Sequence, residues 1–453
     1  MIRHSLALAL AAALVSASAH AADLMQTYEM ARGGDTQLAI AESNTLYSKE
    51  GQVQARAALL PQLSGDASLR RSRTEYEGIS GSRTNSSRSY GLNASQTLFN
   101  WGQFSTLRAQ RALGQAADYN LDAANHDLIV RTAAAYFDVL VAIESLAAAE
   151  TNEAAGKRQF DYADKRLEVG LAPITDVHEA RAQYDQARAS TILARNALAD
   201  AYQALAELTG QPVHDLRALP ADFRPELPAG QGEADGWVAR AIDNNPSLRA
   251  AQLSADAAQS SVQTARSGHY PTLSLGGSWG KDAAWGDSVG GGGGITTGDS
   301  TGTSFGLTLS VPIFAGGATQ SRVRQALAQR DIAQDQYEQQ RRALDRNTRN
   351  VYQALVAGVS EVEARRLAVV SAQSALEASQ VGLEVGTRTV LDVVQNQRTL
   401  FAAQVEYARS RYTFLLNRLL LAQATGGLDV EQLRQVNALL TMDAEAQLAN
   451  PRQ

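Results

Sequence analysis

The chain has 453 residues, contains no cysteine and carries a formal net charge of −6. The lack of cysteine excludes disulfide bonds, thiol catalysis and metal sites built on cysteine. The negative charge argues against nucleic acid as a partner, because nucleic-acid-binding proteins present concentrated basic surfaces. The six histidines are scattered without metal-ligand spacing, and no nucleophile constellation occurs. The sequence therefore predicts neither a cofactor nor an enzyme.

The first 21 residues have the form of a secretory signal peptide. Arg3 supplies a basic start, an apolar run covers residues 6–15, and residues 19–21 (AHA) form a small-residue cleavage site. The run is too short to cross a bilayer as a helix, and no later segment has about 18 uninterrupted apolar residues. We therefore expect export from the cytoplasm, with cleavage near Ala21, and no transmembrane helix.

The remaining chain contains an internal tandem duplication. Residues 89–99 (SYGLNASQTLF) recur as residues 304–314 (SFGLTLSVPIF), and the sequence LEVG at 167–170 recurs at 383–386. Each copy of such a repeat is one structural unit, so the repeat is identified before the fold. We assign repeat 1 to residues 22–233 and repeat 2 to residues 234–453.

Each repeat is predicted to run helix, strand, strand, long helix, turn, helix. Pro61 and Pro271 mark the change from helix to strand, and Gly170 and Gly386 end the long helices. The predicted elements of repeat 1 are strands at about 61–76 and 88–100, a long helix at 103–169, a helix at 175–208 and an equatorial segment at 211–233. Those of repeat 2 are strands at about 271–285 and 302–314, a long helix at 317–385, a helix at 389–424 and a C-terminal equatorial segment at 429–453.

The four strands alternate apolar and polar residues, as Leu92 and Ala94 do with Asn93 and Ser95. A length of about ten residues suits a tilted transmembrane β-strand. A half-buried soluble sheet shows the same alternation, but small polar residues on one face suit a water-filled lumen. Aromatic residues near strand ends are typical of membrane interfaces. Those residues are Phe99, Trp101, Tyr270, Trp279, Trp285 and Phe314.

Four strands cannot close a barrel, and an open sheet edge is not tolerated in hydrocarbon. A membrane sheet of this size must therefore be completed by other copies of the chain, and three copies give twelve strands. The loop between the last two strands contains the glycine run 290–294. No Gly-Lys-Ser/Thr follows that run, so it is not a phosphate-binding loop.

Over nearly the whole chain after the signal peptide, the sequence resembles the TolC family of outer-membrane efflux channels. The resemblance is carried by the strand endings at Phe99 and Phe314, the sequence ITDV at 174–177 and the sequence GTRT at 386–389. It implies a mixed, mainly α membrane protein. In this family a homotrimer forms a twelve-stranded transmembrane β-barrel that is continuous with a twelve-helix coiled-coil periplasmic tunnel.

The resemblance also implies a function and its partners. Proteins of this family are not enzymes. They lie in the outer membrane of Gram-negative bacteria, in contact with its lipid, and have a large periplasmic part. They serve as exit ducts for inner-membrane drug pumps and ABC-type type I secretion systems. Periplasmic membrane-fusion adaptors join pump and duct, and drugs, toxic compounds or proteins pass through passively.

The family further implies a resting gate at the periplasmic end. Arg388 lies at the position of its gate arginine, and Thr175 with Asp176 at the partner positions. A tyrosine usual in this gate corresponds to Leu383, so one link is lost. The alternative for Thr175 and Asp176 is that they only cap a helix.

The pore constriction of the family is lined by acidic residues at the position of Asp392 and three residues later, where this chain has Gln395. We therefore expect a weaker cation filter than two acidic rings provide. The alternative for Asp392 is that it only closes a capping box with Thr389. The predicted adaptor contacts, which Gln159 and Arg166 extend, are the helix-hairpin tips Val169, Gly170, Leu171, Val385, Gly386 and Thr387.

Two other classes of protein remain open from the residues alone. A trimeric outer-membrane stalk with a structural or adhesive role would place its strands at one end of the chain, whereas here they are divided between two repeats. A soluble periplasmic adaptor would have one helical hairpin and no strands edged by aromatic residues.

Overall fold

The computed structural model describes residues 23–75, 82–171, 173–227, 233–287 and 298–446. The predicted signal peptide and the glycine run 290–294 lie outside these residues. The helices are α1 (Leu24–Gly34), α2 (Thr36–Ala57), α3 (Trp101–Glu168), α4 (Ile174–Thr209), α5 (Ala234–Asn244), α6 (Pro246–Arg266), α7 (Ala318–Glu384), α8 (Val390–Ala424) and α9 (Val430–Asn437). The strands are β1 (Gln62–Glu75), β2 (Ser82–Phe99), β3 (Arg217–Ala218), β4 (Thr272–Asp287), β5 (Gly298–Ser310) and β6 (Met442–Asp443).

The order of elements is duplicated, as the sequence repeat predicts. The series α1, α2, β1, β2, α3, α4 is followed by the matching series α5, α6, β4, β5, α7, α8. The long helices α3 and α7 have 68 and 67 residues, and the returning helices α4 and α8 have 36 and 35. The tandem duplication is therefore present in the fold.

The residues form two compact units, each built from both halves of the chain. The helical unit takes its described residues from Met1–Ala41, Asp122–Pro246 and Arg341–Gln453. The sheet unit comprises Glu42–Leu121 and Ser247–Gln340. Each compact unit therefore contains parts of both repeats.

The sheet unit contains a four-stranded antiparallel sheet in the order β1-β2-β4-β5. Leu63 lies opposite Ala94, and Gly277 lies opposite both Ala94 and Phe305, so these residues share one face. That face is apolar near the strand ends that connect to the helices. The opposite face carries polar side chains that bond across the strands. These bonds join Ser68 to Ser89, Asp66 to Asn93 and Ser278 to Ser304, each at 2.8 Å.

The strand bounds differ from the expected ones at three points. β1 (Gln62–Glu75) agrees with the strand expected at about 61–76, but β2 already begins at Ser82 rather than at about residue 88. β5 covers Gly298–Ser310 rather than 302–314, and Pro312 just beyond it lacks the N–H that a ladder needs. A register shift between Thr97 and Phe99 places Phe99 opposite Leu273. This irregularity turns Phe99 onto the apolar face, as a bulge does.

The core of the helical unit is built on three aromatic rings. Tyr136, Phe137 and Tyr412 are buried, with ring centroids 6.3 Å apart for the first pair and 5.7 Å for the second. The Tyr136 hydroxyl donates to the Arg217 carbonyl at 2.9 Å and accepts from its N–H at 2.7 Å. Burial raises the pKa of Tyr136, so the phenol remains neutral and able to donate.

The two predicted equatorial segments meet in this unit. β3 pairs with β6 through Arg217 opposite Asp443 and Ala218 opposite Met442. The buried guanidinium of Arg411 is ion-paired with Glu144 and donates to the Pro220 carbonyl at 3.3 Å. The chain following β3 is thereby fixed to α3 and α8.

Only α3, among the helices of the described residues, contains an 18-residue window apolar enough to cross a membrane. Half of that window is buried inside the protein. Tyr136, Leu140 and Ile143 in its most apolar stretch are completely buried. This composition therefore fits the core helix of the helical unit. In α7, Leu355, Val362 and Leu376 are also buried. They are separated by multiples of seven residues, a spacing typical of coiled-coil packing.

Candidate functional site

Both long helices end in the same turn. Gly170 has φ 73° and Gly386 has φ 79°, the left-handed region that glycine adopts without strain. The Leu171 N–H donates to the Arg166 carbonyl at 2.7 Å, and the Thr387 N–H donates to the Gly382 carbonyl at 2.8 Å. These are the bonds of a Schellman motif, which satisfies the last carbonyl groups of a helix.

The two turns present apolar side chains to their surroundings. Val169, Leu171 and Val385 are each more than two-thirds exposed, at 68%, 67% and 69%. The predicted tip residue Arg166 binds within its own turn: its guanidinium donates a hydrogen bond to the Leu171 carbonyl at 3.2 Å. The Gln159 Nε2 is buried without a hydrogen-bond partner among the described residues.

A buried apolar cluster lies behind the tips and brings the two helical hairpins together. It contains residues of α3, α4 and α8: Ala163, Val177, Ala180, Val390 and Val394. Leu383 of α7 packs against this cluster and against a second one around Val393. The leucine at this position therefore contributes packing between hairpins and has no hydroxyl for a polar link.

The N-terminus of α8 is closed by a capping box. The Asp392 carboxylate accepts the Thr389 N–H and hydroxyl at 2.9 Å each, and the Asp392 N–H donates to the Thr389 Oγ1 at 3.2 Å. Arg388 Nη1 lies 3.9 Å from the same carboxylate. The hydrogen bond from the Thr389 N–H, then that from its hydroxyl and the charge of Arg388 lower the pKa of Asp392. The predicted capping role is present, and the carboxylate is 38% exposed.

Gly382, which is not among the predicted site residues, positions the backbone and side chain of Arg388. Its carbonyl accepts the Arg388 N–H at 3.1 Å in addition to the bonds from Thr387. A Cβ atom at Gly382 would lie 2.6 Å from the Arg388 Cγ, a distance that requires one of them to move. An isolated glycine within a helical pattern is the sequence signal that could have indicated this close approach.

The N-terminus of α4 is organised differently from that of α8. Its N-cap is Pro173, which makes no side-chain capping bond. The alternative that Thr175 and Asp176 cap this helix is therefore wrong, since both lie inside its first turn. Within the described residues neither side chain has a hydrogen bond or ion pair. Asp176 is still favourably placed for the helix dipole, and both groups are available to a partner outside the chain.

Gln395 is exposed one turn after Asp392. The nearby Gln397, in contrast, is buried and donates from Nε2 to the Asn152 carbonyl at 3.3 Å. This bond ties α8 to α3 and was not predicted. Sequence pattern offers little signal for it, because a buried glutamine and an exposed one look alike in a polar stretch.

The predicted interface aromatics are at least partly exposed, and most lie where the sheet meets the helices. Phe99 ends β2, Trp101 begins α3, and Tyr270 directly precedes the short connection to β4. Within β4, Trp279 lies at the middle of the strand and Trp285 lies near its hairpin end. Phe314 is 89% exposed and lies beyond the end of β5.

No group of three or more histidine, aspartate or glutamate side chains that could hold a metal ion occurs among the described residues. At the tips, the described side chains offer apolar contacts, hydrogen bonds and a few charges.

Comparison with known proteins agrees with this architecture. A family model described as "Outer membrane efflux protein" matches residues 27–211 and 237–427. The outer membrane protein TolC of Escherichia coli K12 is 34% identical over 94% of this chain and 86% of its own length. The alkaline protease secretion protein AprF of Pseudomonas aeruginosa is 27% identical over 94% of this chain and 89% of its own length.

A solved structure shows the same fold. The CmeC outer membrane channel of Campylobacter jejuni superimposes with a TM-score of 0.76 at 20% identity, covering 92% of this chain and 90% of CmeC. The duplicated helix–strand–helix order and the match to both halves of the family model lead to one conclusion. The chain belongs to the outer membrane efflux protein family and has the fold of the TolC-like channels.

Proposed function

We propose that this chain is the outer-membrane exit duct of an efflux pump or type I secretion system, and that it works as a homotrimer. The main support is the sheet of the sheet unit, which has one apolar face and one polar face. Its edge strands, β1 and β5, each have one side that pairs with no other strand among the described residues. Such edges are not viable in lipid unless other strands pair with them. Three copies supply twelve strands, enough for a barrel with an aqueous interior.

The resting duct is closed by links between neighbouring chains at the tips. Arg388 is 61% exposed, and among the described residues its only ion pair is a distant one with Asp392. Thr175 and Asp176 have no partner among the described residues, so they can accept hydrogen bonds from an arginine of the next chain. A hydrogen bond to a charged group contributes about 1.5–3 kcal/mol, and threefold symmetry repeats it around the axis.

The constriction is lined by Asp392. Its capping bonds fix the direction of the carboxylate, and its lowered pKa keeps it charged at neutral pH. Three such groups around a narrow pore favour cations. Gln395 adds no charge, so the preference is weaker than in a channel with two acidic rings.

The adaptor binds the helix-hairpin tips. Val169, Leu171 and Val385 offer exposed apolar contacts, while Gly170, Gly386 and Thr387 shape the turns that present them. The helical hairpins of a periplasmic membrane-fusion adaptor fit these small, apolar projections. Adaptor binding that favours the separated tips shifts the duct toward its open state, and the inner-membrane pump supplies the energy.

The cargo leaves passively through this duct. The secretion protein AprF and the drug-efflux channels of the family support two classes of cargo, proteins and small toxic molecules. Two measurements test the proposal. The purified chain, inserted in a planar bilayer, should give discrete single-channel steps. Deletion of its gene should cause drug sensitivity or loss of a secreted protein. A trimer that gives no conductance would favour a structural or adhesive stalk instead.

A further inference from the structure

On the apolar face of the sheet, the apolar residues give way to positively charged ones toward the hairpin end of the strands. On β2 this face carries Phe99, Gln96, Ala94, Leu92 and Tyr90, and the next residue on it is Arg88. The amide of Gln96 donates to the Leu59 and Thr97 carbonyls, at 2.8 and 2.9 Å. The stretch from Phe99 to Tyr90 is about the length that a tilted strand needs to cross the hydrocarbon. Arg88 therefore stands at the boundary of the membrane.

Three further cations share this face near Arg88. The register pairs Leu69 with Arg88 and Arg71 with Ser86 in β1 and β2, and Tyr90 with Lys281 in β2 and β4. Residues paired in this way, and residues two apart on one strand, lie on the same face of a sheet. We call the four cations the basic patch, and they are Arg71, Arg73, Arg88 and Lys281.

The basic patch has more positive than negative charge. Asp299 of β5 lies 3.0 Å from Lys281 Nζ and 3.9 Å from the Arg88 guanidinium, so one carboxylate serves two cations. Arg73 pairs with Glu75 at 3.2 Å, and both side chains are about two-thirds exposed. Arg71 has no ion pair among the described residues. Among the side chains that the structure describes on this surface, the four cations thus face two carboxylates.

The position of the basic patch indicates which kind of ligand it can bind. Tyr90 and Trp279 lie beside each other just before it, with ring centroids 6.3 Å apart, as aromatic residues do at a membrane interface. Arginine and lysine on the lipid face are costly at the middle of a bilayer but nearly free of cost at its interface. There the guanidinium groups can form paired hydrogen bonds with phosphate.

We propose that the basic patch binds the phosphate groups of anionic lipids in the outer leaflet of the outer membrane. The proposal rests on the proposed function, because the patch lies at the membrane surface only if this sheet is part of the barrel with its hairpins outside. The ligand is a lipid with a phosphorylated headgroup. The apolar face below the patch holds its acyl chains while the cations hold its phosphates.

The test compares charge removal on the two faces of one strand. The full-length trimer is titrated in neutral detergent with fluorescently labelled lipid A, a bisphosphorylated glycolipid, and with its dephosphorylated form. Each lysine or arginine near an anionic lipid surface contributes about a fivefold change in affinity. Arg71→Gln combined with Arg88→Gln should therefore weaken binding of lipid A by about 25-fold, with little effect on the dephosphorylated form.

The matched control is Arg70→Gln. Arg70 is the direct neighbour of Arg71 but lies on the polar face with Ser68 and Ser72, so its removal should leave lipid affinity unchanged. Unchanged affinity of the double variant, or an equal loss from Arg70→Gln, would overturn the proposal. Full competition by inorganic phosphate at the concentration of the lipid would also overturn it, because the site would then bind ions rather than lipid.

Folding and function are checked on the same samples. If the double variant fails to assemble as a trimer, the single variant Arg71→Gln replaces it, with an expected loss of about fivefold, since Arg71 has no ion pair to lose. If the variants form conducting trimers and their lipid affinity is unchanged, lipid binding by the basic patch is refuted but the exit duct is not. A wild-type trimer that does not conduct refutes the exit duct itself.

Discussion

The side chain of Arg388 lies directly against Gly382. The Gly382 carbonyl accepts the Arg388 N–H at 3.1 Å, and a Cβ on Gly382 would approach the Arg388 Cγ to 2.6 Å. This contact determines how the arginine leaves the turn, and 61% of its side chain remains exposed. The last turn of α7 and Arg388 therefore form one structural element.

Gly382→Ala should loosen the gate while stabilising the helix. Alanine is favoured over glycine inside a helix by about 0.5–1 kcal/mol, yet its methyl group must displace the Arg388 side chain. We expect a higher single-channel conductance and greater sensitivity to large antibiotics, without a loss of thermal stability.

The matched control for this change is Gly114→Ala in α3. A Cβ there would meet only the flexible end of Gln52, at 3.4 Å, so conductance should stay at the wild-type level. If Gly382→Ala also leaves conductance unchanged, the position of Arg388 does not depend on this glycine.

Arg388→Ser should open the resting duct further. The change removes a charged hydrogen-bond donor from each of the three proposed links, each contributing about 1.5–3 kcal/mol. Single-channel recordings should show larger conductance than the wild type, and Arg388→Lys should fall between the two. A wild-type conductance for Arg388→Ser would exclude this residue from the closure.

The charge of Asp392 should persist below the ordinary carboxyl pKa. Its hydrogen bonds with Thr389 hold its pKa below the usual 3.8. Since the folded pKa is depressed, both cation preference and the stabilisation from capping are fully present above about pH 4. Both decline only as the pH falls through the lower, folded value.

Reversal potentials in a salt gradient, recorded between pH 7 and pH 3, measure this behaviour. Thr389→Val removes the hydroxyl donor and should move the loss of cation preference to higher pH. Asp392→Ala should reduce the preference at every pH. An unaltered reversal potential in Asp392→Ala would refute its assignment to the constriction.

Arg411→Met should destabilise the helical unit strongly. Its guanidinium, with 5% of the side chain exposed, pairs with Glu144 and holds the Pro220 carbonyl. Removing one member of a buried ion pair costs about 3–5 kcal/mol, because the other charge is left uncompensated. Thermal unfolding followed by circular dichroism should show a clearly lower midpoint.

The double variant Arg411→Met with Glu144→Gln should recover much of that loss, because no buried charge remains unpaired. A single variant that unfolds at the wild-type temperature would contradict the assignment of this pair to the core. Equal instability of the single and double variants would show that the effect comes from lost packing instead.

The alternation of the strands could be predicted where apolar residues mark it, as from Tyr90 to Leu98. The early start of β2 could not, because residues 82–88 are rich in arginine and serine and lack an apolar face. At the other end, α3 begins at Trp101, slightly before the expected residue 103. The side-chain oxygen of Asn100, which directly precedes the helix, accepts the Gly102 N–H at 3.0 Å.

At the tips, short sequence motifs were sufficient to predict the turns and the capping box. The glycines at 170 and 386 predicted the turns, and Thr389 with Asp392 predicted a capping box that the structure contains. The contact between Gly382 and Arg388 was missed, since it depends on the chain folding back after the helix. The roles of Arg388 and Asp392 in gating and selectivity remain predictions.

A disulfide cross-link between the free edges of the sheet tests the trimeric barrel most directly. The chain has no cysteine, so one cysteine at Ala67 of β1 can be combined in turn with one at each position of β5. If neighbouring chains close the barrel, some of these pairs will oxidise to give covalent trimers in the membrane. If every pair yields only cross-linked or free monomers, the barrel is not closed by neighbouring chains, and the proposed duct is wrong.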